Sequence, residues 1–254
     1  MTLSHTLVWH DVTARPAAQQ MAIDRALVDR AIQDGTSVFR LYRWDRDSVS
    51  FGANESANRT WDRERLERLK VPCVRRPTGG RGVWHDTADL TYAVTAPLAR
   101  FGDLRTAYRR IHEQLARALN HLGVSASVAP NLRRPTLEPG ACFELTIGGE
   151  VMVGARKTIG SAQALIGTAL LQHGAIALAD RSAALARFRL VSSRSIPDIS
   201  PLNLPDPRLV AQAIVTTWYE EDGAAASGDL VAWALQNGAR YEDHFQDSGW
   251  TWRR

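Results

Sequence analysis

The chain has 254 residues, 44% of them hydrophobic and 23% charged, a composition typical of a globular protein with one large core or two small ones. No apolar run is long enough to cross a bilayer, and the start of the chain lacks the basic and apolar regions of a secretory signal, so we expect a cytoplasmic protein without a membrane partner. The net charge of +4 comes from scattered arginines, which favours an acidic partner without singling out nucleic acid.

Apolar spacing and turn residues predict the elements of the first seventy residues. A helix over Pro16–Asp34 repeats small and apolar residues every three or four positions, and Gly35 ends it. A short charged helix reaching Lys70 begins at Thr60 or Asp62. The other predicted elements are strands at Leu3–His10, Val38–Trp44 and Ser48–Gly52.

The rest of the chain mixes helices and strands. The predicted elements are a helix from Asp103 to Gly123, a strand at Val124–Val128, a loop at Pro130–Gly140, β structure from Glu150 to Leu178 with turns near Gly154 and Gly167, an irregular connection at Arg194–Pro207, and helices at Pro207–Glu221 and Leu230–Gln236. The only plausible boundary falls near Pro205. We therefore predict an α+β fold in a single domain over residues 1–254, with a mixed, largely antiparallel central sheet, flanking helices, and C-terminal helices from about residue 205.

One run, Arg75–Asp86, combines three glycines and three arginines between the apolar segments Val71–Val74 and Leu90–Val94. We call it the glycine-rich loop. Glycines let backbone approach a ligand closely, and exposed N–H groups together with arginine forks bind anions. The loop is therefore either a cradle for a carbonyl, carboxylate or phosphate, or a tight surface turn with solvated arginines. It is neither a Walker loop nor a dinucleotide-binding glycine motif.

Two other residues are candidates for covalent chemistry. Cys142 follows Pro139–Ala141 at a loop junction, whereas Cys73 lies in an apolar run and reads as a buried packing residue. Lys157 begins a β segment followed by small residues that leave room for a ligand, and an ammonium beside a thiol favours the thiolate. The alternatives are an incidental thiol and a solvated lysine at a strand edge. Two distant cysteines predict neither a disulfide framework nor a zinc site.

Histidines and tryptophans add further candidates. His85 directly follows the glycines and is a ligand candidate by position, whereas His173 either orients a substrate or is a satisfied core histidine. His112 lies on the long predicted helix and reads as structural. Trp250 and Trp252 are expected to pack the end of the chain against the core.

Together these motifs resemble the lipoate–protein ligase and octanoyltransferase family of the biotin/lipoate protein ligase superfamily. The resemblance covers nearly the whole chain, and its strongest parts are Arg75–Arg81, His85-Asp86, Leu90–Tyr92, Lys157 with Gly160–Gln163, and Gln172–Gly174. Weaker matches are Met21–Asp24 and Arg43-Trp44 before Ser50–Gly52. Ala141–Phe143 resembles the nucleophile segment of the cysteine-dependent octanoyltransferase branch.

The chain departs from this family pattern at several positions. Glu144–Gly149 replaces a Pro-Ser-x-Tyr segment, and Glu55 stands where glutamine is usual. Gly82 and Trp84 replace alanine and leucine, so we expect a more flexible loop with a bulkier apolar wall. Ala164 stands where a basic residue is frequent.

The resemblance implies a fold like the biotin/lipoate ligase catalytic domain and an acyltransferase. The implied reaction moves octanoate from acyl carrier protein to a lysine of a lipoyl domain, in a 2-oxoacid dehydrogenase or a glycine cleavage H protein, during lipoate biosynthesis. The implied reaction needs neither cofactor nor metal and involves no nucleic acid. The implied catalytic residues are Cys142, as an acyl-thioester nucleophile, and Lys157. The implied substrate-binding residues are Arg76, Thr78, Gly79, Gly80, Arg81, His85, Gly160, Ser161, Ala162, His173 and Gly174.

Two other hypotheses stay open on the sequence. One is a lipoate–protein ligase that uses ATP and magnesium, with the glycine-rich loop binding the adenylate phosphate. The other is a non-enzymatic relative that binds an acyl group or a cofactor, which the altered segment after Cys142 favours.

Overall fold

The structure, a computed structural model, describes residues 5–130, 149–178, 182–190 and 204–253. Cys142, the segment 144–148 and most of the two predicted loops lie outside the described residues. The strands are β1 (Thr6–His10), β2 (Ser37–Tyr42), β3 (Ser48–Phe51), β4 (Cys73–Arg75), β5 (Val83–His85), β6 (Leu90–Pro97), β7 (Ala126–Val128), β8 (Val151–Val153), β9 (Arg156–Ile166), β10 (Ala169–Ile176) and β11 (Gly223–Ala225). The helices are α1 (Ala17–Asp34), α2 (Ala57–Thr60), α3 (Arg63–Arg68), α4 (Leu104–His121), α5 (Ser182–Ala186), α6 (Pro207–Glu221), α7 (Gly228–Gln246) and α8 (Ser248–Thr251).

Eight strands form the main sheet, in the order β11-β1-β2-β6-β10-β9-β8-β7. The β11-β1 and β1-β2 pairs are parallel, and every other pair of this sheet is antiparallel. Helices flank the sheet, so the predicted α+β class with a mixed, largely antiparallel sheet is confirmed. No described helix is long and apolar enough to cross a membrane.

A second, three-stranded sheet, ordered β4-β3-β5, carries the glycine-rich loop. The predicted strands at Val38–Trp44 and Ser48–Gly52 therefore belong to different sheets. The strand that leaves the glycines is β5, which the sequence analysis placed inside the loop. The apolar segment Leu90–Val94 that follows the loop lies in β6 of the main sheet. Strands of three residues are too short to show a reliable alternation of apolar and polar positions, which explains the difference.

Alternating residues of the main sheet pack against helices on its two faces. Phe39 and Leu41 of β2 join the core under α4 and α6, and the Phe39 ring stacks on Trp218 of α6 at 3.8 Å. Val38 and Tyr42 point the other way, toward α1 and α7. Both faces of the central strands are therefore buried, as expected for a sheet covered by helices on each side.

The predicted ends of the long helices are confirmed where a capping residue marks them. The Asp103 carboxylate accepts a hydrogen bond from the Thr106 N–H, and Gly35 ends α1 in a left-handed conformation (φ 78°). The last long helix was predicted too short, because Gly238 looks like a breaker. In the structure Gly238 lies against Ile23 of α1, so the missing side chain lets α1 and α7 approach closely.

Candidate functional site

The glycine-rich loop folds back against the end of β3. The Arg76 N–H donates to Phe51 O at 3.0 Å, and Ala53 N–H donates to Thr78 O at 2.8 Å. A Cβ atom on Gly52 would lie 1.9 Å from Gly80 O, and Gly80 has φ +95°, a conformation that favours glycine. These two glycines thus make the close backbone approach on which the loop depends.

Arg76 braces this loop from inside. Its guanidinium is buried and donates to Ser50 O, Gly79 O and Arg81 O, each at 2.8 Å. Sequence reasoning gave the loop arginines a ligand-binding part. The contacts show in addition that Arg76 organises the loop carbonyls.

Glu55 connects both sides of the loop. Its carboxylate accepts hydrogen bonds from Gly52 N–H at 3.0 Å, Gly82 N–H at 2.9 Å and Trp61 Nε1 at 3.0 Å. A carboxylate only accepts hydrogen bonds, so it suits three donors, whereas the amide of a glutamine would turn N–H groups toward some of them.

Gly82, the other unusual loop residue, is explained by space. An added Cβ would lie 2.8 Å from the Trp61 ring and 3.2 Å from Leu185 Cδ2. Gly82 thus accommodates the Trp61 ring, a reason that differs from the flexibility expected from sequence.

A cavity of about 350 Å³, including its open mouth, lies between the loop and the main sheet. Apolar wall is supplied by Met21, Trp44 and Val83. Among the described lining residues are seven of the predicted substrate-binding residues, namely Arg76, His85, Gly160, Ser161, Ala162, His173 and Gly174. Sequence reasoning did not place Met21 and Trp44 in the site, although both lie in its weaker family matches.

The other predicted residues surround this cavity without lining it. Thr78 reaches it through a hydrogen bond to His173, and a Cβ added to Gly80 would lie 3.9 Å from the Ala162 Cβ, so the loop faces β9. Gly79 and Arg81 offer their carbonyls to Arg76.

His173 lies at the centre of a buried polar network beneath the cavity. Its Nδ1 lies 3.2 Å from Asp24 Oδ2, and its Nε2 lies 2.6 Å from Thr78 Oγ1. Arg40 and the Tyr42 hydroxyl also donate to Asp24, at 2.9 and 3.0 Å. Because a carboxylate accepts, Nδ1 carries a proton toward Asp24, and this fixes the ring beside the loop.

Asp24 was not predicted as a site residue. The signal was available, because Gln20 and Asp24 are polar residues one turn apart on the buried face of α1.

His85 is a neutral residue of the cavity wall. Its ring stacks on Trp44 at 4.0 Å, and its Nε2 lies 2.8 Å from Ser50 Oγ. Burial lowers the pKa of His85 well below its usual value of 6.5, and the nearby Arg76 and His173 lower it further. Its Nδ1 has no hydrogen-bond partner among the described residues.

A second network joins three strands and α4. Tyr92, Gly174 and Ser161 lie side by side on β6, β10 and β9. Since Gly174 has no side chain, the Tyr92 hydroxyl reaches across it to Ser161 Oγ at 2.6 Å. His112 Nε2 lies 2.7 Å from the same oxygen, and His112 Nδ1 bonds to Gly149 O. The ring of His112 is thus a bridge from β9 to residue 149, consistent with the structural part predicted for it.

Lys157 lies outside the cavity wall and is paired. Its Nζ is 3.1 Å from Glu150 Oε1, and the two side chains are only 4% and 3% exposed. The alternative of a solvated lysine at a strand edge is therefore excluded. Sequence reasoning missed Glu150, which precedes β8 and carries no motif of its own.

A larger cavity, of about 1310 Å³ including its open mouth, lies between α4 and α6. Two ion pairs, Arg100–Asp222 and Arg117–Glu221, stand at its rim. None of the predicted site residues that the structure describes lines it, so we place the candidate site at the smaller cavity. Within the described ranges, no group of three or more His, Cys, Asp or Glu side chains is arranged to hold a metal ion.

Comparison with curated proteins finds octanoyltransferases. The chain is 39% identical over 165 residues to the octanoyltransferase LipM of Carboxydothermus hydrogenoformans, covering 63% of this chain and 61% of the relative. The octanoyltransferase LipM of Symbiobacterium thermophilum is 35% identical over 237 residues, covering 88% of this chain and 80% of the relative. The chain spans about three fifths of the length of three octanoyltransferases LipM, including that of Carboxydothermus hydrogenoformans, since 61%, 62% and 60% of their lengths are covered.

Solved structures show the same fold. Protein Ta0514 of T. acidophilum with bound lipoic acid gives a TM-score of 0.75 at 20% identity and covers 98% of this chain and 100% of the other. A lipoate-protein ligase A bound with ATP gives a TM-score of 0.74 at 20% identity, covering 98% and 99%.

The family match spans both the glycine-rich loop and the strands that face it across the cavity. Since residues 16–195 match the lipoyl protein ligase A/B catalytic domain, the chain belongs to that family.

Proposed function

We propose that the protein is an octanoyl-[acyl-carrier-protein]:protein N-octanoyltransferase. The observation that carries this proposal is the similarity to octanoyltransferases LipM, at 39% identity for the first of them. The cavity supports it, because the residues matching the family motifs of the loop, β9 and β10 converge on one apolar-walled space.

The proposed reaction has two steps. The Cys142 thiolate attacks the octanoyl thioester, forming a new carbon–sulfur bond and releasing the carrier thiol. The ε-amine of an acceptor lysine then attacks the acyl-enzyme, so that an amide forms and the Cys142 sulfur leaves. Thioester exchange is nearly neutral in free energy and amide formation is downhill, so neither step needs a nucleotide.

Lys157 is the proposed acid and base. Its ammonium gives a proton to the leaving carrier thiolate in the first step, and the resulting amine takes a proton from the attacking lysine in the second. The enzyme therefore ends the cycle in its starting protonation state.

The apolar lining of the cavity supports the binding of an acyl chain. Met21, Trp44 and Val83 form apolar wall, and each buried methylene contributes about 0.8 kcal/mol to binding. The backbone N–H groups near Gly79-Gly80 and Gly160-Ser161 are the proposed donors for the carbonyl oxygen as negative charge develops on it.

We further propose an acyl carrier protein as the donor and a lipoyl domain as the acceptor. The lipoyl domain is that of a 2-oxoacid dehydrogenase or a glycine cleavage H protein. A net charge of +4 favours association with acidic carriers and domains.

The test is the formation of the acyl-enzyme. Incubation with octanoyl-acyl carrier protein should add one octanoyl group to the wild type, seen by mass spectrometry, and Cys142→Ser should abolish that thioester. The matched control is Cys73→Ser: burial raises the pKa of the Cys73 thiol to about 12, so this thiol is not a competing nucleophile and its loss should leave acylation intact. Transfer by Cys142→Ser at the wild-type rate would disprove the mechanism, and strict dependence on ATP with free lipoate would establish a ligase instead.

A further inference from the structure

Lys157 and Glu150 form one of the buried ion pairs of the described residues, beside those of Arg40 with Asp11 and Asp24. The side chains of Lys157 and Glu150 are almost completely buried, and Nζ lies 3.1 Å from Oε1. A buried ammonium is costly unless an opposite charge accompanies it. The chain contains only two lysines, Lys70 and Lys157, among 31 basic residues, and Lys70 is exposed.

The backbone around Glu150 is fixed from several sides. Glu150 O accepts a hydrogen bond from Ala129 N–H at 2.8 Å, and Gly149 N–H donates to Ala129 O at 2.9 Å. Gly149 O bonds to His112 Nδ1, whose ring is held on its other side by Ser161. A carboxylate on so constrained a backbone has few positions open to it.

Strand β9, which pairs with β8, is irregular next to Lys157. Met152 pairs with Lys157 and Val151 pairs with Ile159, so Thr158 is an extra residue of β9. Such a bulge redirects the neighbouring side chains of its strand. Here it accompanies a lysine that meets a carboxylate from just before β8.

We propose that Glu150 is a positioning residue that holds the Lys157 ammonium in place for proton transfer. The proposal rests on the proposed octanoyl transfer, in which Lys157 alternately gives and takes a proton. Glu150 remains a carboxylate throughout and forms no covalent bond. Its negative charge stabilises the ammonium, and its fixed backbone determines the position in which the carboxylate holds Nζ.

The kinetic test compares Glu150→Gln and Glu150→Asp with the wild type. Glutamine keeps the shape and one acceptor but removes the charge, so kcat for octanoyl transfer should fall about a hundredfold while KM for the octanoyl carrier stays within about twofold. Aspartate keeps the charge on a shorter side chain, so kcat of Glu150→Asp should be about tenfold higher than kcat of Glu150→Gln. The control is Glu221→Gln, which removes the exposed Arg117–Glu221 pair and should leave kcat unchanged.

The second readout needs no enzymatic activity. Limited acetylation with acetic anhydride, followed by peptide mass spectrometry, reports the reactivity of Lys157 against Lys70 in the same molecule. We expect Lys157 to react at least about tenfold faster in Glu150→Gln than in the wild type, because the ammonium has lost its partner. If Glu150→Gln does not fold, Glu150→Asp is labelled instead, and its Lys157 should react faster than that of the wild type but less than about tenfold faster.

The outcomes separate the two proposals. Wild-type kcat and wild-type labelling in both variants would overturn the positioning proposal, as would a fall in kcat matched by an equal rise in KM. A wild-type protein that transfers no octanoate would overturn the proposed function, while faster labelling of Lys157 would still support the placement of its ammonium by Glu150.

Discussion

His112 is a buried histidine whose titration couples pH to the stability of the fold. Burial lowers its pKa to about 4, although the hydrogen bond to Gly149 O opposes this shift. In the unfolded chain the usual value of 6.5 applies. Between pH 6.5 and pH 4 the unfolded chain therefore binds a proton that the folded chain does not. The folded state loses stability as the pH falls through this window, by about 3 kcal/mol from His112 if the whole window is crossed.

The prediction is measured as a difference between variants. His112→Asn should be less stable than the wild type at pH 7.5, because its hydrogen bond to Ser161 is lost, and this gap should narrow as the pH approaches 4.5. Urea unfolding followed by tryptophan fluorescence at several pH values gives the comparison. His121→Asn, an exposed substitution on the same helix, controls for the change itself. A gap that stays constant with pH would contradict the low pKa of His112.

Single residues also show how far the site was predictable. The residues that line the cavity lie in motifs with recognisable composition, such as the glycines and arginines of the loop and Gly160–Ala162 of β9. Asp24 and Glu55 were missed or left without a part, since each acts on the site from a distant point of the chain. Glu150 was missed although it lies only seven residues before Lys157, because the pairing of β8 with β9 brings the two together. Such contacts depend on the tertiary fold, which local pattern does not determine.

At the scale of elements, Gly174 of β10 separates Tyr92 and Ser161 on the neighbouring strands. A Cβ added there would lie 2.3 Å from Ser161 Oγ, 2.6 Å from Gly160 O and 2.8 Å from Tyr92 Cε1. The backbone oxygen cannot move without shifting β9. We therefore expect Gly174→Ala to destabilise the fold by about 1–3 kcal/mol and to weaken binding in the cavity that Gly174 lines.

Thermal unfolding and titration with octanoate test this expectation. The control is Gly228→Ala at the start of α7, where an added Cβ meets no atom within 4 Å. That variant should be as stable as the wild type or slightly more so. Equal melting temperatures for Gly174→Ala and the wild type would contradict this expectation, because they would show that β6, β10 and β9 accommodate the added Cβ without loss of stability.

The elements themselves were predictable from sequence where they are long and a proline or a capping residue marks their start. Helix α6 was predicted with its observed bounds because Pro207 marks its start, and Asp103 marked the start of α4. Strand β11 was missed, since Gly223–Ala225 lacks any β-forming residue and owes its state to pairing with β1. Helix α7 was shortened because Gly238 reads as a breaker until its contact with Ile23 is known.

At the scale of the whole molecule, the order of strands and the division into two sheets were beyond sequence pattern. Strand β2 pairs with β1 and β6, while β3, six residues later, pairs with β4 and β5. Nothing in the local sequence distinguishes these pairings, because each of them joins strands that lie far apart in the chain. The expectation that Trp250 and Trp252 pack the end of the chain against the core is confirmed, since Trp252 joins the core cluster of β3 and α3 and Trp250 packs against that of α1.

Arg75 connects three distant parts of the chain at the entry to the glycine-rich loop. Its Nε donates to Thr251 O at 3.0 Å, and its Nη1 donates to Gly52 O at 2.6 Å and Glu55 O at 2.9 Å. Trp250 Nε1 donates in turn to Arg75 O at 3.0 Å. The forked guanidinium is what allows one buried side chain to serve carbonyls on opposite sides, and a lysine ammonium lacks that geometry.

We therefore expect Arg75→Lys to lower the free energy of unfolding by about 2–4 kcal/mol and to loosen the end of the chain. Calorimetry measures the first effect, and limited proteolysis, read by mass spectrometry for cuts after residue 246, measures the second. The control is Arg59→Lys, an exposed position on the neighbouring helix α2. A variant that unfolds at the wild-type temperature and resists protease equally would mean that the C-terminal segment holds its place without Arg75. Early cleavage there together with weakened octanoate binding would show that the end of the chain supports the loop from behind.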